Sequence, residues 1–288
     1  MSTNALDHNN LRLAVLIDAE NVPRNCIKNV MEEIAIYGTP TIKRIYGDWT
    51  SPMISGWKNS LLENAITPIQ QYSYTIGKNS SDSAMIIDAM DVLYSERTDG
   101  FVIVSSDSDF TRLAIRLREA GQRVIGIGER KTPSAFIAAC DKFTYIEVIR
   151  DKAKEAQAEL EEAQADIEET QADTGEARAE LDENCPKAQS QHREKHYSQP
   201  RQRGVKVPDA VVRLIADSVA DLADDNGSVF MGELGNLLQK KQPDFDHRNF
   251  GYMSLSAMIK SIDRFEIDFR QTTDPNIKHV FVRDKEAT

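Results

Sequence analysis

The chain has 288 residues, which is the length of one large domain or two ordinary ones. Its formal net charge of −11 at pH 7 argues at first sight against a nucleic-acid partner. However, residues 151–183 hold 13 acidic and 3 basic side chains, so the rest of the chain carries a net charge of only −1. The acidity therefore belongs to one segment and does not exclude an anionic ligand elsewhere.

The sequence carries no signal for a membrane or for secretion. No stretch approaches the ~20 apolar residues that span a bilayer. The first ten residues contain neither a basic nor an apolar segment, so we expect no secretory signal. Three scattered cysteines, Cys26, Cys140 and Cys185, lack the spacing of a zinc site. We expect buried thiols and a cytoplasmic location.

Residues 11–149 alternate between strand and helix patterns. Strands are predicted at 12–17, 41–46, 66–72, 101–104, 123–127 and 145–149, and helices at 23–37, 53–64, 82–94, 108–120 and 133–139. Alternation at this spacing indicates right-handed crossovers between parallel strands. The predicted fold class is therefore α/β, with a Rossmann-like and mainly parallel sheet.

Residues 150–206 have the composition of a linker in two parts. Residues 151–183 repeat a heptad whose seam is mostly alanine and threonine, which allows a coiled coil but favours a single solvated helix. Residues 184–206 contain six basic side chains and one acidic side chain. This second part is either a solubilising tether or a basic strap for a phosphate backbone.

Residues 207–284 predict a second, smaller domain. Amphipathic helices are predicted at 208–222, 231–239 and 252–262, followed by alternating strands at 265–269 and 279–282. Three helices followed by a β-hairpin is the layout of a winged helix. Such domains bind nucleic acid or protein and are seldom catalytic.

Acidic side chains follow two of the predicted strands. Asp18 comes directly after an apolar run, and Asp107 and Asp109 come after Phe101–Val104. The carboxyl ends of parallel strands meet at one edge of a sheet, and Asp82, at the start of a helix, could face the same place. Mg²⁺ and Mn²⁺ take carboxylate oxygens and supply the activated water and the charge neutralisation that phosphodiester hydrolysis needs. The four aspartates therefore predict a metal site.

Three further residues belong to the predicted site. Asn21 could orient a water or a phosphate oxygen, while Asp88 and Lys78 are second-tier candidates. A carboxylate at position 88, inside an apolar helix run, is costly unless it is paired or liganded. Each aspartate could instead be an ordinary helix cap, Asp109 above all. An Asp-x-Asp phosphotransferase would need aspartate at position 20, where this chain has Glu20, and no glycine-rich phosphate loop is present.

These acidic residues lie in segments that resemble the NYN family, part of the PIN-like group of metal-dependent nucleases. The segments are Ile17-Asp18-Ala19-Glu20-Asn21, Asp82 with Asp88, Val104-Ser105-Ser106-Asp107-Ser108-Asp109-Phe110 and Arg118-Glu119-Ala120-Gly121-Gln122-Arg123-Val124. The resemblance implies Mg²⁺- or Mn²⁺-dependent endoribonuclease chemistry. It also implies an acidic pocket of Asp18, Asp82, Asp107 and Asp109, with Asn21 beside it. Ser106 stands where the family usually has glycine.

The C-terminal part resembles the OST-HTH domain, also called LOTUS. The resemblance rests on Phe250-Gly251-Tyr252-Met253-Ser254-Leu255-Ser256-Ala257-Met258-Ile259-Lys260, followed by Phe265-Glu266-Ile267. It implies a winged-helix module associated with RNA and, in some members, with a protein partner. Arg248, Lys260 and Arg264 are the candidates for RNA contact, with ordinary surface charge as the alternative.

Two functional hypotheses follow. The first is a metal-dependent endoribonuclease with a nuclease domain at 11–149, a linker at 150–206 and an RNA- or partner-binding domain at 207–284. No histidine lies in the predicted acidic cluster, which argues against a histidine-based ribonuclease mechanism. The second hypothesis is a non-catalytic RNA-binding or regulatory adaptor that retains the acidic pocket.

Overall fold

The computed structural model describes residues 11–72, 80–158, 206–224, 226–271 and 278–287. Strands and helices alternate in the N-terminal domain, as the sequence predicts. The elements are β1 (Arg12–Asp18), α1 (Ile27–Tyr37), β2 (Thr39–Gly47), α2 (Lys58–Asn64), β3 (Thr67–Gln70), α3 (Ser80–Tyr94), β4 (Gly100–Val104), α4 (Thr111–Glu119), β5 (Arg123–Gly128), α5 (Ser134–Ala139) and β6 (Lys142–Tyr145). A helix that we number α6 covers residues 146–158.

The strands β1 to β6 form one sheet in the order β3-β2-β1-β4-β5-β6, and all of its pairings are parallel. From β1 the chain adds strands first toward one side of the sheet, as β2 and β3, and then toward the other, as β4, β5 and β6. The switch point therefore lies between β1 and β4, and ligands of such sheets bind there, outside the carboxyl ends of the strands. Ile17 pairs with Val104 across it, so Asp18 and the residues after Val104 emerge side by side. The Rossmann-like fold class is confirmed.

The sheet is buried on both faces. Val102 and Val104 of β4 pack into the apolar core that includes α1, whereas Phe101 and Ile103 pack into the core that includes α3 and α4. A strand covered on both sides reads as a continuous apolar run, because neither set of alternating side chains meets water. This burial holds the end of β4, and the aspartates that follow it, in a fixed place.

The last strand of the sheet does not lie where the sequence pattern puts it. The prediction of a strand at 145–149 was wrong, since β6 is Lys142–Tyr145 and the chain is helical from residue 146. Phe143 is buried in β6, while Ile146 and Ile149 are buried from the helix. A short apolar run is ambiguous between strand and helix, and here tertiary packing decides it.

The C-terminal domain has three helices and a small antiparallel sheet in the order β7-β9-β8. Its elements are α7 (Asp209–Leu222), β7 (Ser228–Phe230), α8 (Met231–Lys241), α9 (Leu255–Lys260), β8 (Phe265–Gln271) and β9 (Lys278–Asp284). Strand β7, which the sequence reading missed, pairs Val229 with Val282 of the predicted hairpin. The winged-helix layout is confirmed.

The two domains contact each other and form one compact unit. The contact covers the edge strand β6, where the Phe143 amide donates a hydrogen bond to the Pro243 carbonyl oxygen at 2.9 Å. The Tyr145 hydroxyl donates to Asp244 Oδ2 at 2.7 Å. An uncovered edge strand would leave backbone groups unpaired, so this docking satisfies part of the edge. The sequence pattern carries no signal for the contact.

A buried ion cluster holds the two domains together. The Arg248 guanidinium donates to both carboxylate oxygens of Glu33 on α1, at 2.9 and 2.6 Å, and to Asp246 Oδ2 at 2.7 Å. Glu33 is only 3% exposed. Arg248 thus uses its guanidinium on two carboxylates at the domain contact, and an RNA role for this residue stays a prediction.

Most of the linker lies outside the described residues. Residues 151–158 are helical, as expected for the start of the acidic segment. The coiled-coil alternative and the basic strap both concern residues from 159 to 205, which the structure does not describe. Among the helices it does describe, none is long and apolar enough to cross a bilayer.

Candidate metal centre

Three carboxylates meet at the carboxyl edge of the sheet. Asp82, Asp107 and Asp109 each offer one oxygen, and these oxygens all lie within 4.8 Å of one another. Asp82 comes from the first turn of α3, and the other two come from the turn that follows β4. Asp82 is buried and Asp109 exposed, so the cluster is open to solvent on one side. An oxygen-only set of this kind fits Mg²⁺ or Mn²⁺.

The two aspartates after β4 have different local roles from those expected. The Asp107 side chain accepts a hydrogen bond from the Asp109 amide at 2.9 Å and caps the short 3₁₀ turn Ser108–Phe110 that leads into α4. The sequence reading had given the cap to Asp109 as its alternative role. Capping uses Asp107 Oδ1 as acceptor, and both residues nevertheless belong to the carboxylate cluster.

Asp18 is held beside the cluster by three hydrogen bonds and is 2% exposed. Its Oδ1 accepts from the Glu20 amide at 3.0 Å. Its Oδ2 accepts from Asn21 Nδ2 at 2.7 Å and from Ser105 Oγ at 2.8 Å. Asp18 is not one of the three carboxylates that converge, and Asn21 contacts Asp18 with the amide that was expected to face a water or phosphate.

Ser105 is a site residue that the sequence analysis missed. Its hydroxyl is fully buried, donates to Asp18 and accepts from the Asp107 amide at 3.1 Å. One side chain thus joins the ends of the neighbouring strands β1 and β4. The available signal was a hydroxyl directly after a buried strand and two residues before an aspartate.

Ser106, the departure from the family pattern, fits its place without glycine. Among the described residues, the only non-glycine positions with positive φ are Ala65 and Glu96, so the turn at Ser106 needs no left-handed conformation. Its hydroxyl accepts a hydrogen bond from the Glu129 amide at 2.9 Å. The serine therefore ties the end of β4 to the chain that leaves β5.

Replacing Ser105 by alanine should weaken the site and the fold together. We expect a loss of about 1–3 kcal/mol in unfolding free energy, because a buried carboxylate loses a donor. Divalent-metal affinity should fall roughly tenfold or more, as it does when groups that orient ligands are removed. Ser106→Ala is the matched control, since that hydroxyl does not contact an aspartate. Equal metal affinity in the two variants, measured by calorimetry, would contradict a positioning role for Ser105.

Charge repulsion is concentrated on Asp82. Burial, together with the neighbouring carboxylates of Asp18, Asp107, Glu20 and Asp109, raises the pKa of Asp82 from its usual 3.8 to about 7. Without a cation, Asp82 therefore holds a proton near neutral pH. Binding a divalent cation requires this carboxyl to be ionised, so metal loading is coupled to proton release.

Asp82→Asn should stabilise the metal-free protein at alkaline pH. The folded wild type keeps its Asp82 proton up to about pH 7, whereas the unfolded chain loses it near 3.8, so wild-type stability falls as pH rises through that interval. Asparagine cannot ionise, so in EDTA at pH 8 the variant should be more stable by on the order of 1 kcal/mol, with the gap closing toward pH 4.

Thermal unfolding at several pH values measures this difference. Added Mn²⁺ should reverse the order of the two proteins, because it stabilises only the form that binds it. A variant that is less stable than the wild type at pH 8 in EDTA would contradict the repulsion described at Asp82. Asp91→Asn, an exposed change on the same helix, serves as the control.

Glu20 is a second residue that the sequence analysis did not place in the site. Its Oε1 accepts a hydrogen bond from the Ser81 hydroxyl at 3.1 Å, which links the turn after β1 to the start of α3 next to Asp82. The residue had been weighed only as a mismatch to an Asp-x-Asp motif. Its position two residues after Asp18 was the signal.

The two second-tier candidates, Asp88 and Lys78, have different outcomes. The Asp88 carboxylate is bonded by the Arg44 guanidinium and the Tyr46 hydroxyl of β2, and it is not one of the converging carboxylates. It is therefore paired, which is one of the two outcomes that its apolar surroundings demand. Lys78 lies outside the described residues.

The remaining candidates for RNA contact lie on the C-terminal domain. Arg264 forms an ion pair with Asp284, in which Nη2 lies 2.7 Å from Oδ2. Lys260 is exposed at the end of α9. An RNA role for either residue stays a prediction.

A parallel sheet in this strand order, with carboxylates at its switch point, defines a protein of the PIN-like α/β class. The NYN domain family matches residues 12–147, and the OST-HTH/LOTUS domain family matches residues 206–277. The chain thus contains one segment that matches the NYN domain and one that matches the OST-HTH/LOTUS domain. The first domain suggests a nuclease family and the second suggests RNA binding.

A search of curated proteins found no match. Among similar solved structures, a protein of unknown function from Vibrio parahaemolyticus is 20% identical, with 51% of this chain and 96% of that chain covered and a TM-score of 0.41. An uncharacterized protein from Nitrosomonas europaea is 28% identical, with coverages of 38% and 95% and a TM-score of 0.26. A Chromobacterium violaceum domain is 24% identical, with coverages of 29% and 88% and a TM-score of 0.23.

Proposed function

We propose that this protein is a metal-dependent endoribonuclease whose divalent ion is held by Asp82, Asp107 and Asp109. The observation that carries the proposal is the convergence of three carboxylate oxygens within 4.8 Å at the switch point of the sheet. The NYN match supports a nuclease as the class of enzyme. The raised pKa of Asp82 supports a cation as the ligand, because burial and the neighbouring carboxylates both disfavour an uncompensated negative charge there.

Mg²⁺ or Mn²⁺ bound there would supply an activated water and neutralise charge on the leaving oxygen. The protein's own contribution is to fix the ligands before RNA arrives. Asp107 is fixed by its cap and Asp18 by three hydrogen bonds, while Ser105 keeps the two strand ends in register. Asp82 gives up its carboxyl proton on loading. Such preorganisation lowers the reorganisation needed during the reaction.

The C-terminal domain is proposed to take part in RNA binding, as the association of OST-HTH/LOTUS domains with RNA supports. Its docking onto β6 means that it acts as part of one unit with the nuclease domain. In this proposal a protein partner is the alternative ligand of the domain, and RNA affinity that is unchanged when residues 207–288 are deleted would favour that alternative.

Cleavage of a circular single-stranded RNA tests the proposal, because only an endonuclease opens a circle. With Mn²⁺ or Mg²⁺ the purified protein should linearise the circle, and EDTA should stop the reaction. A matched DNA circle shows whether the enzyme discriminates the sugar. Binding of the RNA circle without any cleavage under either metal would contradict the proposal and support a non-catalytic adaptor.

We also propose that the protein works in a reducing compartment such as the cytoplasm. Cys26 and Cys140 are free thiols and are buried. Burial raises the pKa of the Cys140 thiol to about 12, which keeps it protonated and unreactive. Cys185 lies outside the described residues.

A further inference from the structure

A basic cleft of about 700 Å³ lies where α8 faces the amino-terminal edge of the sheet. We name it the α8 cleft. Its charged lining residues come from both domains and consist of Arg118, Arg123, Lys142, Lys240, Lys241 and Asp141. Five positive groups line this surface against one negative group, which favours an anionic ligand.

Two of the basic groups are available to a ligand. Arg123, the first residue of β5, and Lys240, in the last turn of α8, are both exposed. Neither makes an ion pair within the part of the chain that the structure describes. They belong to different domains, so a ligand that meets both would bridge the domain contact.

The other basic groups are fixed by the protein. Arg118 pairs with Asp141 at 2.9 Å, and Lys241 pairs with Asp221 at 2.6 Å. Lys142 is buried, and burial lowers its pKa. These groups shape the cleft, and carboxylates balance their charges, so the charge that a ligand would meet comes from Arg123 and Lys240.

The α8 cleft and the carboxylate cluster lie at opposite edges of the sheet. Arg123 pairs with Gly100 at the start of β4, whereas Asp107 follows the other end of that strand. A strand of 5 residues spans roughly 17 Å, so the cleft cannot contact the nucleotide at the carboxylates. It would bind another part of a longer chain.

We propose that the α8 cleft binds the phosphate backbone of single-stranded RNA away from the site of cleavage. That the ligand is RNA rests on the proposed function. The positive charge of the cleft would supply its affinity for the phosphate backbone. Exposed Asn236 and half-buried Gln239 on α8 also line the cleft and add hydrogen-bonding groups. Phosphate contacts of this kind position a nucleic acid without reading its sequence.

The test measures binding of the full-length protein to a fluorescently labelled, mixed-sequence single-stranded RNA in EDTA, which prevents cleavage. Arg123→Glu and Lys240→Glu should each weaken RNA binding by about tenfold at low salt. Each should also reduce the slope of log affinity against log salt concentration by about one, the value for one lost phosphate contact. The neutral variants Arg123→Gln and Lys240→Gln should show smaller losses in the same direction. Lys58→Glu makes the same charge change at an exposed position on α2, outside the cleft, and should bind within threefold of the wild type, about the scatter expected for a remote charge.

Wild-type affinity and an unchanged salt slope in the folded cleft variants would overturn the proposal, as would a loss confined to Lys58→Glu. The result is separable from the nuclease proposal. If the wild-type protein cuts no RNA but the cleft variants lose RNA binding, the binding role of the α8 cleft is supported and the nuclease proposal is contradicted. If the wild-type protein cuts RNA but the cleft variants bind RNA normally, the nuclease proposal is supported and the binding role of the α8 cleft is contradicted.

Discussion

Asp107→Asn should reduce metal-dependent RNA cleavage by at least ~100-fold while leaving the fold intact. Asparagine caps a helix start as well as aspartate does, so the hydrogen bond from the Asp109 amide can be kept. What the variant loses is one negative ligand of the carboxylate cluster. Metal chemistry contributes several kcal/mol to such reactions, and each ~1.4 kcal/mol is a factor of ten in rate.

Initial rates of RNA cleavage at saturating Mn²⁺, with unfolding curves of both proteins, measure this effect. Asp91→Asn is the matched control, because it removes an exposed carboxylate from α3 outside the cluster. An Asp107→Asn enzyme that cuts at the wild-type rate would contradict the assignment. A variant that is inactive because it is unfolded would be recognised from its unfolding curve, and Asp109→Asn then replaces it in the comparison.

Arg248→Met should cost about 3–5 kcal/mol of unfolding free energy, the largest stability effect that we expect. The change takes the hydrogen-bonded cation away from Glu33 and Asp246, both nearly inaccessible to water, and leaves only the more distant Lys142, whose Nζ lies 3.9 Å from Asp246 Oδ2. The domain contact should loosen as a consequence. The Phe143 amide, which donates to Pro243 across that contact, should then exchange its hydrogen faster.

Hydrogen exchange resolved at Phe143 and chemical unfolding of the full-length protein check this prediction. Arg12→Met is the matched control, since Arg12 pairs with Asp99 at 2.9 Å on the surface, with side chains 51% and 38% exposed. Water screens an exposed pair of this kind, so its loss should cost far less than the loss of the buried cluster. Equal losses from the two substitutions, with unchanged exchange at Phe143, would show that the cluster does not hold the domains together.

Periodicity predicts most of the fold of the N-terminal domain, because local pattern and long-range packing agree there. The run Phe101–Val104 is apolar at every position since β4 is covered on both faces, and parallel pairing then brings its end next to Asp18. The prediction of a strand at 145–149 was wrong because the local pattern there does not distinguish a strand from a helix. Its apolar residues Ile146 and Ile149 fit a helix face equally well, and packing against the sheet decides between the two.

The site was harder to predict than the fold, because side-chain roles depend on distances of a few ångströms between segments remote in sequence. Chain order could place Asp82 and Asp107 near one edge. It could not show that Asp107 caps a turn, or that Ser105 joins two strand ends. Nor could it show that Arg248 meets Glu33, which lies 215 positions away, across a domain contact.

The candidate site is expected to lower the stability of the metal-free protein. Carboxylates are crowded against a buried neighbour, which raises the pKa of Asp82 to about 7 and destabilises the empty site at alkaline pH. Such strain is retained at functional sites when a ligand relieves it. The two stability predictions therefore have opposite signs, since Asp82→Asn should stabilise the metal-free protein and Arg248→Met should destabilise it.

Anomalous diffraction from crystals soaked in millimolar Mn²⁺ tests the metal centre most directly. We predict a peak within coordination distance of Asp82, Asp107 and Asp109, and no such peak in Asp107→Asn crystals soaked alongside. Asp18 should keep its hydrogen bonds to Glu20, Asn21 and Ser105 in both. Ordered carboxylates without a peak among them, at pH 8 where Asp82 is ionised, would contradict the account.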